Sequence, residues 1–340
     1  MTMTNSTRAR RILTATAAGA LLLSGCAGAS SAGEPGPEAI AAQPVAATAT
    51  EKNCPEDNLP REASLATTGA SLNPATWSDK STMAEVRSSG KLVVGVAGDV
   101  NLWGSRKPGS TELQGFDIDV ANRIADAIGP KVQVEYEVIN FADRLPRLKN
   151  GDVQLVAHTM TMTCERWFGS KEKPDEFINF STEYYRAGQK VLVRSDSKAT
   201  GIDDLKGQTV CAATGSTSLA NLEGRGVTPV EVGDVGECLV RFQEGETTAI
   251  TGDDTVLAGF RAQDKYAKVV GDAFTEVPYG LGIAPGDYDF TRFVNLVLEQ
   301  MRTDGTLDGL YDKWMKGNGA KPAVPKAVYG RQQAALEKRG

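Results

Sequence analysis

Three stretches decide the fold: Lys91-Leu-Val-Val-Gly-Val96, Gly115-Phe-Asp-Ile-Asp-Val-Ala-Asn-Arg-Ile-Ala-Asp-Ala-Ile128 and Lys131-Val-Gln-Val-Glu-Tyr-Glu-Val-Ile139. The first is a continuous apolar run of the kind buried in a parallel sheet. In the second, Ile118, Ala121, Ile124, Ala125 and Ile128 recur at helical spacing, with Asp117 placed to cap the start. The third alternates as a strand does, and Val153 to Ala157 supplies another after Gly151. Strand, helix, strand in this order predicts an α/β lobe with right-handed crossovers.

The rhythm continues in both directions. Met83-Ala-Glu-Val86 opens a short helix that Gly90 ends. A second lobe starts near Val191-Leu-Val193 and takes in the strand from Thr209, the Gly215-Ser-Thr-Ser218 turn, a helix from Gly236 to Gln243, a strand from Thr248 and a helix after Asp253. Val269-Val270 adds another strand. Beyond Pro278 the pattern returns to the first lobe with a strand from Gly280 to Ile283 and helices Phe290 to Thr303 and Leu307 to Trp314. The expected boundaries are an N-terminal extension over 51–80, lobe 1 over 81–185, lobe 2 over 186–277, a return to lobe 1 over 278–318 and a tail over 319–340. Two crossings between lobes form a hinge, and paired α/β lobes place their ligand cleft at the strand C-termini.

The ends and the composition bound the setting. Arg8, Arg10 and Arg11 precede an apolar run from Ile12 to Leu23, too short to cross a bilayer comfortably, that closes in Leu23-Ser-Gly-Cys26. This resembles a bacterial lipobox, which implies a signal peptide over 1–25, a lipid (palmitate) on Cys26 and a position on the outer face of the cytoplasmic membrane. From Ala27 to about Thr50 the small and polar composition predicts a flexible tether over 26–50. Four cysteines remain, and an even count in an exported chain argues for disulfides, in one of three pairings. Cys211 and Cys238 are close in sequence and share a lobe, so they are paired; Cys54 then goes with Cys164. No Cys–His spacing suits zinc, and no cofactor or metal is expected. A net charge of −6 without a basic stretch argues against nucleic-acid partners.

The segment Gly115 to Ala125 is similar to the signature of the polar amino-acid family of bacterial solute-binding proteins. Arg144-Leu-Pro-Arg-Leu-Lys-Asn-Gly151, Thr159-Met-Thr-Met-Thr-Cys-Glu-Arg166 and Asp253-Asp-Thr-Val-Leu-Ala-Gly259 follow in the family's order and spacing. The resemblance covers roughly residues 80–318. It implies the two-lobed, type II periplasmic-binding-protein fold, a free amino acid as ligand, lobe closure, an ABC permease or a membrane sensor as partner, and a monomer. It also implies that Arg166, with Thr159 and Thr161, binds the ligand α-carboxylate and that Asp253 receives the ammonium. Asp254 reads as the helix cap beside it. The turn carrying Ser216 and Thr217 opens a helix, whose N–H groups and hydroxyls suit the same carboxylate. Ala213 stands where relatives often carry Lys or Arg just before that turn, which shifts carboxylate work to Arg166.

Specificity turns on Arg144, whose spacing to Arg166 resembles that of the acidic-amino-acid binders, where this arginine meets the side-chain carboxylate. Glutamate or aspartate is therefore expected ahead of glutamine or asparagine; a solvent-facing arginine is the alternative. Relatives' second arginine is replaced by Ala97 and Gly98, for which Arg106 can compensate, and Trp103 or Phe141 can wall the aliphatic part. His158, the lone histidine, reads as a core residue, since no Gly-x-Ser-x-Gly elbow accompanies it. The chain reads as a non-enzyme, with a dehydratase on the same fold as the less favoured alternative.

Overall fold

A computed structural model describes residues 52–317 and 321–339. Cys26, the leader over 1–25 and the tether over 26–50 lie outside the described residues.

The first lobe is built on a five-stranded sheet in the order Asn179–Phe180, Gly282–Ile283, Leu155–Ala157, Lys91–Val96, Gln133–Val138. Lys91–Val96 runs parallel to both neighbours, and its Leu92, Val94 and Val96 are wholly buried. The second sheet runs Thr228–Val232, Thr209–Ala213, Ala249–Asp253, Tyr185–Arg194, Ala267–Tyr279. In each sheet three parallel strands are extended by antiparallel ones, the mixed pattern of a doubly wound lobe.

The chain passes between lobes along two paired antiparallel strands. Tyr185 lies opposite Tyr279 and Gln189 opposite Thr275, with an irregularity between Gln189 and Val191. Such a bulge bends and twists a strand, which suits a pair that must leave one sheet and enter another. An aromatic cluster sits at its foot: Trp103 stacks on Phe116 at 4.7 Å and meets Tyr185 and Tyr279 edge-on at 4.7 and 5.3 Å.

Two local expectations are corrected. The helix Phe116–Ile128 has Gly115, not Asp117, as its N-cap. Asp117 lies inside the first turn, buried, and its carboxylate accepts from the Thr159 N–H at 2.8 Å and the Tyr184 hydroxyl at 2.5 Å. Burial pushes that carboxyl up to about 7, against the pull of both hydrogen bonds. Likewise Asp253 occupies the N-cap position of helix Asp254–Gln263; Asp254 is its first residue and accepts from Gly188 N–H at 3.3 Å.

The extension and the tail are interlocked with lobe 1. Ser64–Leu65 pairs in parallel with Tyr329–Arg331. Buried Asn295 donates to Ser64 Oγ and Leu65 O at 2.9 and 2.7 Å. The Arg331 guanidinium is buried over the Trp167 ring and paired with Asp57 at 2.6 Å. Cys54–Cys164 and Cys211–Cys238 are both bonded, closing spans of 110 and 27 residues. The first staples the extension to the segment that carries Arg166. Replacing Cys54 and Cys164 together by Ser is expected to lower unfolding stability by about 2–4 kcal/mol, read as a shifted urea midpoint with the far-ultraviolet spectrum unchanged.

Candidate functional site

The cleft between the lobes is lined by Phe141, Arg144, Thr159 and Thr161 from the first and by Ala213, Ser216 to Ser218, Val235 and Asp253 from the second. Arg144 begins the helix Arg144–Lys149, and its side chain turns inward to 1% exposure, not to solvent. The guanidinium lies over the Phe141 ring at 4.6 Å and donates to three carbonyls: Phe141 O at 2.9 Å, His158 O at 3.2 Å and, across the cleft, Gly215 O at 3.2 Å. Burial, and then the neighbouring Arg166, lower its pKa well below the usual arginine value.

Arg166 stands on the short helix Cys164–Phe168, which Thr163 caps by accepting the Arg166 N–H. Its side chain donates to Thr161 O at 2.8 Å and to Gly215 O at 3.1 Å. Two guanidiniums of one lobe thus converge on one carbonyl oxygen of the other. Desolvation lowers the Arg166 pKa to about 10, with Asp253 and Glu165 pulling the other way. Gly215 adopts φ +76°, and a Cβ there would stand 2.6 Å from Ala142 Cα, so no other residue fits this approach.

Thr161 Oγ1 lies 3.1 Å from Thr217 Oγ1, a further bond across the cleft. Thr159 is held at φ +42° by the Asp117 carboxylate, and its buried hydroxyl has no hydrogen-bond partner among the described residues. Ser216 is engaged locally: it caps helix Thr217–Ala220 by accepting Leu219 N–H and donates to Ala213 O. On the far wall Asp253 is 5% exposed. It accepts from Tyr279 Oη at 2.6 Å and from Ser218 Oγ at 3.3 Å. Burial raises its pKa to about 6; the Tyr279 bond and the Arg144 charge oppose the rise, and Asp254 adds to it.

Two expected residues are placed elsewhere. Trp103 is fully buried in the aromatic cluster beneath the crossing strands and does not line the cavity. Arg106 is exposed at the end of strand Gly104–Arg106, so it does not stand in for the missing second arginine. His158 is a core residue: Nε2 bonds Ile139 O at 3.0 Å, its ring meets Phe141 edge-on, and burial lowers its pKa to about 3, keeping it neutral. Tyr279, which holds Asp253, escapes the sequence reading, and Ser218, expected to serve the ligand as part of the Gly215–Ser218 turn, donates to Asp253. Tyr279 sits fully buried on the returning crossing strand, opposite Tyr185, and only its bond to Asp253 ties it to the site. The cavity measures only about 20 Å³, because the lobes touch directly.

The sequence profile of the bacterial extracellular solute-binding proteins, family 3, matches residues 92–317. The ABC transporter glutamine-binding protein GlnH of Bacillus subtilis is 34% identical over 72% of this chain and 88% of its own length. The glutamate-binding protein GluB of Corynebacterium glutamicum is 29% identical over 65% of this chain and 77% of its own. Among solved structures, an ancestral amino acid-binding protein described as a precursor of cyclohexadienyl dehydratase superimposes with a TM-score of 0.62 at 31% identity, covering 69% of this chain and 100% of that one.

The Asp253 carboxyl has a testable signature. Its folded pKa lies above the unfolded value, so its contribution to stability is full below about pH 4 and is lost as pH rises through about 6. Asp253→Asn mimics the protonated form. It is expected to stabilise the unliganded protein above pH 7 by roughly 1–3 kcal/mol and to change little near pH 4, followed by thermal melts across pH.

Proposed function

Because the chain belongs to the bacterial extracellular solute-binding proteins of family 3 and is a solute-binding protein of amino-acid ABC importers, we propose that its cargo is an acidic amino acid, glutamate or aspartate. The observation that carries this reading is the charge count in the cleft. Arg144, buried in the cavity wall, and the half-buried Arg166 beside it, which donates to the same Gly215 carbonyl, set two guanidiniums against Asp253, the one carboxylate among the described residues that line the cavity. A zwitterionic α-amino acid spends its carboxylate on Arg166 and its ammonium on Asp253, which leaves Arg144 with a cationic charge. A second carboxylate on the ligand neutralises it, and an amide does not.

Capture then proceeds by closure. With the lobes apart, the amino acid meets Arg166, Thr161 and the unpartnered Thr159 hydroxyl on the first lobe. The second lobe brings Asp253 and the turn of Ser216 and Thr217. A ligand carboxylate oxygen takes the place that the Gly215 carbonyl now holds between the two arginines. Phe141 flanks the aliphatic part. Shutting the site from water strengthens each ion pair, and the closed form is what a permease distinguishes from the open one. The chain acts as a carrier, not an enzyme, anchored through lipid on Cys26 of Leu23-Ser-Gly-Cys26 and working as a monomer.

Glutamine is the competing cargo, favoured by the identity to GlnH, since the guanidinium can also donate to an amide oxygen. Titration calorimetry separates the two. Wild type is expected to bind glutamate and aspartate ahead of glutamine. Arg144→Ala is expected to weaken glutamate about 100-fold, the loss of a buried charge-assisted pair, and glutamine by less than about tenfold. Unchanged glutamate affinity in that variant rejects the acidic reading.

A further inference from the structure

We propose that Asp99 is a closure latch: a first-lobe carboxylate that caps a second-lobe helix and so holds the lobes together over a captured amino acid. The proposal rests on capture by closure as set out above. Helix Gly236–Glu244 has Val235 at its N-cap position and no side-chain cap from its own lobe. Its first N–H, that of Gly236, donates instead to Asp99 Oδ2 at 2.7 Å. The first turn of a helix exposes unpaired N–H groups and a partial positive charge, and a carboxylate answers both. Here the cap is supplied by the opposite lobe.

The surroundings fit a contact made and broken by lobe movement. Asp99 stands in a two-residue strand, Asp99–Val100, paired with Gly104–Arg106, so its base is fixed in lobe 1. A Cβ on Gly236 would lie 3.2 Å from the Asp99 carboxylate oxygen, so the bare backbone admits the close approach. Two residues on, Asn101 meets the second lobe in the same manner: a Cβ on Gly259 would stand 2.7 Å from Asn101 O. One first-lobe turn therefore seats two neighbouring residues against two glycines of the other lobe.

The capped helix is also wired to the ligand site. Val235, directly before it, lines the cavity. Cys238 within it is bonded to Cys211 on strand Thr209–Ala213, whose end leads into the Gly215 carbonyl between Arg144 and Arg166. Holding Gly236 thus holds the turn that closes on the ligand. When the lobes part, Asp99 and the Gly236 N–H both return to water, so the bond favours the closed form alone and slows release without assisting encounter.

The test is stopped-flow binding of L-glutamate and L-glutamine together with small-angle scattering, on wild type, Asp99→Ala and Asp99→Asn. Asp99→Ala is expected to raise the dissociation rate roughly tenfold, the size of a lost helix cap, without lowering the association rate, since the unliganded variant is open more of the time. Asp99→Asn keeps an acceptor oxygen and is expected to restore most of the difference. Scattering is expected to show a larger radius of gyration for Asp99→Ala than for wild type, with or without amino acid. Wild-type release and wild-type dimensions in Asp99→Ala would overturn the latch. Should neither amino acid bind wild type, the cargo reading fails by itself, and the scattering of the unliganded proteins still decides the latch.

Discussion

Two guanidiniums that meet on one carbonyl oxygen across the cleft are the constraint around which the molecule is arranged. Like charges held close in a poorly hydrated space repel, and removing each from water is costly on its own. Arg144 lowers the difficulty with three backbone carbonyls and an aromatic face. Arg166 uses the carbonyls of Thr161 and Gly215. Carbonyl dipoles offset part of a cation's cost, but they carry no net negative charge. The cleft is therefore poised for an anion, and the single acid opposite is itself reluctant to ionise. Replacing buried charges by well-packed hydrophobic residues is often neutral or stabilising, which is the usual relation between a functional site and its scaffold.

The glycines and the disulfides serve this arrangement. Gly215 brings a bare backbone between the arginines, and Cys211–Cys238 fixes the strand from which that turn departs. On the other wall Thr159 is kept in a left-handed conformation by the buried Asp117 carboxylate, so a residue of the helix Phe116–Ile128 shapes a loop far along the chain. Cys54–Cys164 steadies the same loop from its other end.

Much of the fold was legible because it is periodic. The run Lys91–Val96 and the spacing of Ile118, Ile124 and Ile128 encode burial directly, so both lobes and the two crossings could be read from residues alone. The inward position of Arg144 was legible only through spacing to Arg166, since nothing in a lone arginine distinguishes burial from exposure. The places of Trp103 and Arg106 are not legible, because a residue near a strand end can face cleft, core or solvent; the packing of Tyr185 and Tyr279 decides it for Trp103. The extension and tail carry no repeating apolar pattern. Their order comes from single long-range contacts, such as Asn295 with Ser64 and Arg331 with Asp57, that have no local signal.

The stitching of Ser64–Leu65 to Tyr329–Arg331 has a mechanical consequence. Both ends of the described chain are sewn into the same lobe, and the other lobe is reached in the sequence only through the two crossing strands. Tension applied at either terminus is borne within lobe 1 and need not pass through the cleft. The second lobe therefore swings as a jaw on a fixed one, and the extension touches it at the root of the crossing strands, where Arg61 donates to Glu276 O and Glu62 pairs with Arg186.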